Sequence, residues 1–169
     1  MTRSTIVAYW ALPHAQDELA YQYVIDALAE AQGGVRFTPH ISLGSLETFD
    51  ADVDEVVSAL RGLMVRPTQI GRSYAFTKSL YVDIAQNDQL ERARASLARR
   101  NGFRSTRSFA PHISLCYGPP VNEDALKPMI EALLRKPVRI DRVRAMEISL
   151  PVETHADVST WSPIETFQI

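Results

Sequence analysis

The chain contains only one cysteine among its 169 residues, Cys116. A single cysteine excludes an internal disulfide and a multi-cysteine zinc site. No uninterrupted apolar run approaches the ~20 residues that a membrane-spanning helix needs, and the first residues lack the pattern of a signal peptide. We therefore expect a protein of a reducing compartment, the cytoplasm, with no membrane partner.

Glycine and proline are also few, at 7 and 10 residues, which excludes a linker-rich or collagen-like chain. The length fits one domain, or two small lobes that share a core. The net charge of -2 does not suit a general nucleic-acid binder. One local stretch, 92–107, is basic and contains no acid, and we retain it as a candidate phosphate-facing feature. Its arginines are Arg92, Arg94, Arg99, Arg100, Arg104 and Arg107.

An internal repeat organises the chain. The segment 37–43, Phe-Thr-Pro-His-Ile-Ser-Leu, matches 109–115, Phe-Ala-Pro-His-Ile-Ser-Leu, at six of seven positions. His40 and His112 are 72 residues apart, close to half the chain. Duplication of a unit of roughly 70–85 residues explains this pattern. We expect residues 1–169 to form one two-lobed domain.

Hydrophobic periodicity predicts helices before and after each motif, at 19–31, 53–64, 87–100 and 122–136. The apolar face of the first comprises Leu19, Tyr23, Val24, Ala27, Leu28 and Ala31. This helix ends at Gly33, and Pro128 should kink or divide the last helix. Alternation predicts strands at 6–12, 69–76, 80–84, 138–150 and 161–169. We infer an α+β architecture of two sheets with helices packed outside.

Each repeated segment reads as a strand with two different faces, because alternate strand residues point to opposite sides. One face is apolar and should enter a core; in the first copy it comprises Phe37, Pro39, Ile41 and Leu43. The other face carries an imidazole and a hydroxyl about 7 Å apart. The prolines suggest an edge strand or a strand start, where a missing N–H is tolerated.

If the lobes face each other about a pseudo-two-fold axis, the pairs His40–Ser42 and His112–Ser114 converge on one cleft. Two imidazoles suit in-line attack at phosphorus, since one can take a proton from the nucleophile and the other can give one to the leaving oxygen. The hydroxyls can donate to non-bridging phosphate oxygens. This chemistry requires no metal and no cofactor.

Two other site chemistries fit less well. A metal site could use both histidines, but no acid or cysteine lies at ligand spacing beside either motif. A serine nucleophile would need an acidic partner and an elbow turn, and neither is visible in the sequence.

Paired Pro-His-Ile-Ser-Leu segments in a chain of this length resemble the two-histidine phosphoesterase superfamily. The opening Val-Ala-Tyr-Trp-Ala-Leu-Pro at 7–13, the tyrosine three residues after Ser114, and Thr160-Trp161 are similar to its cyclic phosphodiesterase branch. The resemblance implies a duplicated bilobal fold, in which two antiparallel sheets face a central cleft. It also implies hydrolysis of a cyclic phosphodiester on a ribose, such as a nucleoside 2',3'-cyclic phosphate or ADP-ribose 1'',2''-cyclic phosphate.

By the same resemblance, the catalytic residues are His40, Ser42, His112 and Ser114, and relatives use no metal. Tyr117 and Trp10 correspond to the substrate-binding tyrosine and tryptophan of the branch. Strict alternation would turn Tyr117 away from the His112 face, so its role requires the strand to end or bend near Cys116. The partner would be a small nucleotide cyclic phosphate, and we expect a monomer.

For the remaining candidate residues, a structural or solvent-exposed position is an alternative to a role in the site. Arg104, Arg107 and Lys78 could contact a substrate phosphate or simply lie in solvated loops. Trp10 could equally stack on a base or belong to the core, and Cys116 suits a buried, inert thiol. His14 and His155 read as surface residues.

Two further functions stay open beside the cyclic phosphodiesterase. The arginine-rich stretch suggests an enzyme that acts on RNA ends. Such an enzyme would be either 2'-5' ligase-like or an oligonucleotide phosphodiesterase. A non-catalytic binder of nucleotides or RNA ends would retain the cleft without turnover. Which histidine acts as acid and which as base is not decided by the sequence.

Overall fold

A computed structural model describes residues 3–104 and 108–169 of the chain. Within these ranges the chain forms nine strands and five α-helices. The strands are β1 Ser4–Pro13, β2 Ile41–Leu46, β3 Met64–Val65, β4 Pro67–Arg72, β5 Leu80–Ile84, β6 Phe103–Arg104, β7 His112–Cys116, β8 Val138–Leu150 and β9 Ser162–Gln168. The helices are α1 Ala15–Gln32, α2 Asp54–Ala59, α3 Asp88–Ala98, α4 Lys127–Leu133 and α5 His155–Ser159.

The strands form two antiparallel sheets. The larger has the order β3-β8-β1-β2-β6, with β9 also paired to β8, and the smaller has the order β4-β5-β7. Helices connect and flank these strands, so the predicted α+β class with two antiparallel sheets is confirmed.

The two halves of the chain share a corresponding set of strands and helices. The segment β8-β1-β2 of the larger sheet matches β4-β5-β7 of the smaller one, with the repeated motif on the third strand of each. Helix α1 joins β1 to β2, and α3 joins β5 to β7. The 72-residue offset between the motif histidines carries β4 onto 139–144, which lies inside β8.

Helix α1 spans 18 residues, more than the predicted 19–31, and its buried face agrees with the prediction only in part. It begins after His14, whose ring accepts a hydrogen bond from the Gln16 N–H, and it ends at Gly33, whose φ of 64° is the left-handed cap conformation that glycine favours. Leu19 and Tyr23 are 71% and 58% exposed, so their predicted inward orientation is wrong. Val24 and Leu28 of the predicted face are buried, and they share a helical series with Tyr21, Ile25 and Ala29.

Other element boundaries differ from the predictions in instructive ways. The helix predicted at 53–64 stops at Ala59, and Met64 belongs to the short strand β3. The strand predicted at 69–76 ends at Arg72. Pro128 does divide its segment, because it lies in the first turn of α4, where its missing N–H costs nothing. Helix α5 escaped prediction, since only five residues form it.

Strand β1 is apolar on both faces because two clusters cover it. A large core takes members from both sheets, including Leu43 of β2 and Ile113 of β7. On the opposite face of β1 and β8 lies a smaller apolar cluster, comprising Ala8, Trp10, Leu12, Met146 and Ile148. Three members of this second cluster, Ala8, Trp10 and Ile148, line the cleft. In the described parts of the chain, no helix is long and apolar enough to cross a membrane.

Candidate active site

Both repeated motifs lie where a strand begins. Pro39 and Pro111 directly precede the strand region, with β2 starting at Ile41 and β7 at His112. The prolines therefore occupy strand starts, as predicted, and no ladder hydrogen bond is lost there. The apolar positions of the first motif, Phe37, Pro39, Ile41 and Leu43, are buried.

The two motifs meet in a single cavity of about 450 Å³ between the sheets. All six residues that the sequence singled out line it: Trp10, His40, Ser42, His112, Ser114 and Tyr117. The convergence expected from pseudo-symmetry is thus present in the geometry. The cavity continues along an apolar wall formed by Ile6, Ile148, Leu150, Val152 and Trp161.

The two imidazoles are held in the same way. Nδ1 of His40 donates a hydrogen bond to the Thr38 carbonyl at 2.7 Å, and Nδ1 of His112 donates to the Ala110 carbonyl at 2.9 Å. A carbonyl oxygen only accepts, so Nδ1 carries the hydrogen in both rings. In the neutral form, Nε2 then presents a lone pair, which is the arrangement that a general base requires.

The environment of His40 favours the neutral ring. The imidazole stacks on the Trp10 indole, with centroids 3.7 Å apart and planes inclined by 14°, and the residue is only 8% exposed. Burial lowers the pKa of His40 to about 4, and the charge of Arg144 acts in the same direction. The ring is consequently neutral at physiological pH.

His112 has a more open and more polar environment. The ring meets Tyr81 edge-on, with centroids 5.5 Å apart, and Asp83 lies directly opposite in the β5–β7 ladder. Burial lowers the pKa of His112, as does the Lys78 ammonium, whereas the Asp83 carboxylate raises it. A carboxylate thus supports the protonated form of His112, and His40 has no counterpart to it among the described groups that affect its pKa.

The two serines are not equivalent. Ser114 is buried, and its hydroxyl donates to the Thr77 carbonyl at 2.7 Å. Ser42 is exposed to the cavity and makes no hydrogen bond to any described residue. A hydroxyl has one hydrogen, so the Ser114 proton is already committed while that of Ser42 is available to a ligand.

Tyr117 lines the cavity because β7 ends at Cys116 and the chain turns at Gly118, whose φ is 72°. The side chain stacks on Phe37, with centroids 3.8 Å apart and planes inclined by 8°. Burial raises the pKa of the phenol. Cys116 is buried as well, and burial raises the pKa of its thiol, as the inert interpretation requires.

Lys78 is the cavity residue whose role the sequence left open. It is the last residue of the 3₁₀ turn Phe76–Lys78, and its ammonium lies 4.4 Å from the centroid of the Tyr81 ring. Together with Thr77, it lines the cavity beside His112 and Ser114. Sequence spacing gave no signal for this loop, since its position depends on the Ser114–Thr77 hydrogen bond.

The arginine-rich stretch mostly faces elsewhere. Arg99 pairs with Glu55 at 2.9 Å, Arg100 lies 3.4 Å from Asp50, and Arg94 stacks over Phe109. Arg104 lies opposite Ser45, a cavity residue, in the β2–β6 ladder. Arg107 lies outside the described residues.

The surface interpretation of His155 is wrong. The side chain is partly buried, and its Nδ1 accepts a hydrogen bond from the Val35 N–H at 3.2 Å. Its ring also meets Phe76 edge-on. His155 therefore joins α5 to the segment after α1. Within residues 3–104 and 108–169, no group of three or more His, Cys, Asp or Glu side chains is placed to hold a metal ion.

The fold is similar to that of E. coli LigT. Its crystal structures in apo form, with phosphate and with 3'-AMP each superpose with a TM-score of 0.50, at 14–15% sequence identity. The match covers 99% of this chain and 98–99% of LigT. No protein-family model matches the chain, and no curated protein is significantly similar in sequence. At this identity, the similarity concerns the fold.

Proposed function

We propose that this protein is a phosphoesterase that opens a cyclic phosphodiester on a ribose, such as a nucleoside 2',3'-cyclic phosphate, to give a phosphomonoester. The observation that carries the proposal is the meeting of two His-x-Ser pairs in one cavity, with Nδ1 of both rings held by a carbonyl and Nε2 left for proton transfer. The complexes of LigT with phosphate and 3'-AMP support a nucleotide as the ligand to test first.

His40 is the general base in this proposal. Burial against Trp10 keeps its ring neutral, so Nε2 can accept a proton from water while the water oxygen attacks phosphorus. A base buried in this way is deprotonated over nearly the whole physiological range, so its Nε2 is available to accept a proton.

His112 is the general acid. Asp83 supports its imidazolium form, and an anionic substrate in the cavity adds to that support. As the bond between phosphorus and the ribose oxygen breaks, the His112 Nε2–H donates its proton to that oxygen. The cycle ends with His40 protonated and His112 neutral, and exchange with solvent restores the starting states.

Ser42 and Lys78 hold the phosphoryl oxygens. The Ser42 hydroxyl is free to donate, and the Lys78 ammonium supplies positive charge where negative charge develops. Ser114 acts as a positioning residue, since its hydrogen bond to Thr77 fixes the turn that contains Lys78. Trp10 positions His40, and Tyr117 contributes to the wall of the cavity.

Phosphorus NMR tests this proposal directly. Purified protein with excess EDTA should convert 2',3'-cyclic AMP into one monoester, and the chemical shift of the product identifies the bond that breaks. The single variants His40→Gln and His112→Gln should lose at least a hundredfold in kcat, whereas His14→Asn, which keeps a cap for α1, should not change. Full turnover by a variant lacking both cavity histidines would rule out the mechanism.

A further inference from the structure

Arg144 lies on the cleft side of the larger sheet, in a row with residues of the site. Trp10 in β1 is directly opposite Ser42 in β2 on one side and Arg144 in β8 on the other, and Arg144 is opposite Thr166 in β9. Residues directly opposite each other project from the same face of a sheet. Since Trp10 lines the cavity, Arg144 projects toward the same cleft, about 10 Å from Ser42 across two strand spacings.

The guanidinium of Arg144 is oriented but has no carboxylate partner. Its Nε donates to the neutral Thr166 hydroxyl at 3.1 Å, and its two Nη groups make no hydrogen bond or ion pair with a described residue. The side chain is partly buried. An arginine held in place by a neutral acceptor presents its planar fork to whatever enters the cleft.

The neighbouring arginine makes the contrast clear. Arg142 is fully engaged, since its Nη2 donates to the Pro13 carbonyl at 2.6 Å and lies 3.3 Å from Glu18. Its Nε also contacts Asp141 at 3.0 Å. The acidic groups at this end of the sheet thus form their ion pairs with Arg142, and Arg144 experiences Glu18 only through a longer-range charge interaction.

We propose that Arg144 binds a second phosphate group of the substrate, one that lies across the ribose from the reacting phosphorus. This inference rests on the proposed function and deepens it by naming the substrate class. The substrate would carry a phosphate on the 5' side of the terminal nucleoside, either as a 5'-monoester or as the phosphodiester to a preceding nucleotide. A guanidinium binds both, because each offers two oxygens to the fork.

Binding of product-like ligands tests this subsite without relying on turnover. Isothermal titration calorimetry would compare 3'-AMP with adenosine 3',5'-bisphosphate, and with a dinucleotide ending in a 3'-phosphate. We expect the second phosphate to tighten binding at least tenfold in the wild type, consistent with charge-assisted hydrogen bonds. A gain from the bisphosphate alone identifies a monoester ligand, and a gain from the dinucleotide identifies an RNA end.

The variant Arg144→Gln should reduce this ratio to about one, and Arg144→Lys should give an intermediate ratio because it keeps the charge and loses the fork. Arg139→Gln is the matched control, since Arg139 is exposed on the same strand, opposite Met64 in β3. Removal of Arg144 also relieves its effect on the pKa of His40, but that change acts on all ligands and leaves their ratio intact.

Two results would overturn the inference: a wild type that binds the ligands equally or not at all, or a ratio that survives in R144Q. Failure of the proposed function has a different signature. In that case the wild type still prefers the bisphosphate or the dinucleotide, yet hydrolyses neither 2',3'-cyclic AMP nor its 5'-phosphorylated form.

Discussion

The imidazole of His40 lies flat on the indole of Trp10, with ring centroids 3.7 Å apart. This stack excludes water from one face of the imidazole and fixes the direction of its Nε2. It also occupies the face of Trp10 that a nucleobase would need. In the proposed function, Trp10 would act on the substrate through His40, and the apolar wall around Ile148 and Leu150 would face a base.

The first prediction concerns this stack. Trp10→Phe keeps an apolar ring but covers less of the imidazole, so the pKa of His40 should rise toward 6.5 and kcat should fall at least tenfold. Proton NMR titration of the histidines would measure the pKa, and steady-state kinetics the rate. A tenfold loss of kcat with an unmoved His40 pKa would mean that Trp10 contacts the substrate directly.

The second prediction is an acidic pH optimum. The free enzyme needs His40 deprotonated, which requires a pH above about 4, and His112 protonated, which requires a pH below its own pKa, itself lowered from 6.5. The value of kcat/KM should thus rise across pH 4 and fall before pH 6.5. An activity that keeps rising above pH 7 would contradict this assignment of the two histidines.

Asp83 gives a third prediction, which separates acid from base. Its carboxylate raises the pKa of His112, so Asp83→Asn should shift the basic limb of the kcat/KM profile to lower pH and leave the acidic limb in place. Asp124→Asn, at an exposed position in the turn Glu123–Leu126 and outside the cavity lining, serves as the control. A shift of the acidic limb alone would exchange the roles of His40 and His112.

The unequal serines give a fourth prediction. Ser114→Ala removes the hydrogen bond to Thr77 and leaves that carbonyl without its partner, so unfolding should become easier by about 1 kcal/mol. Ser42→Ala removes no described hydrogen bond and should leave the free energy of unfolding nearly unchanged, although kcat falls in both. Denaturant unfolding measures the difference, and equal destabilisation of the two variants would refute it.

A fifth prediction links His40 to folding. Its pKa is about 4 in the native state and about 6.5 when unfolded, so the unfolded chain binds more protons between these values. Stability present above pH 6.5 should be lost as pH falls toward 4, by about 3 kcal/mol from this residue. His40→Asn should flatten that part of the curve of unfolding free energy against pH; an unaltered slope would show that other groups cause it.

The sequence predicts the motif strands well because the pattern that defines them lies within a few neighbouring residues. Alternation places Ile41 and Leu43 in the core and leaves His40 and Ser42 on the other side, and duplication implies that the second copy behaves alike. The face of α1 is a different matter, since two series of apolar residues share the helical period. Only packing against the sheets decides that Tyr21 is buried and Tyr23 exposed.

The contacts that distinguish the two halves of the site could not be predicted. The row from Ser42 through Trp10 to Arg144 depends on strand register across three strands that are distant in sequence. The hydrogen bond from Ser114 to Thr77 depends on where a loop from another part of the chain comes to rest. A repeat in the sequence implies that the two halves of the site are equivalent. These long-range contacts make the two halves different.

The exchange of outer strands between the halves has a consequence for assembly. Strand β4 ends the first repeat yet pairs with β5 of the second, while β8 ends the second repeat and pairs with β1 of the first. The chain is thus built like a domain-swapped dimer whose two subunits have been fused. Neither half can complete its own sheet, so a cut in the 73–79 loop should give two fragments that fold only when mixed, with the cleft restored by complementation.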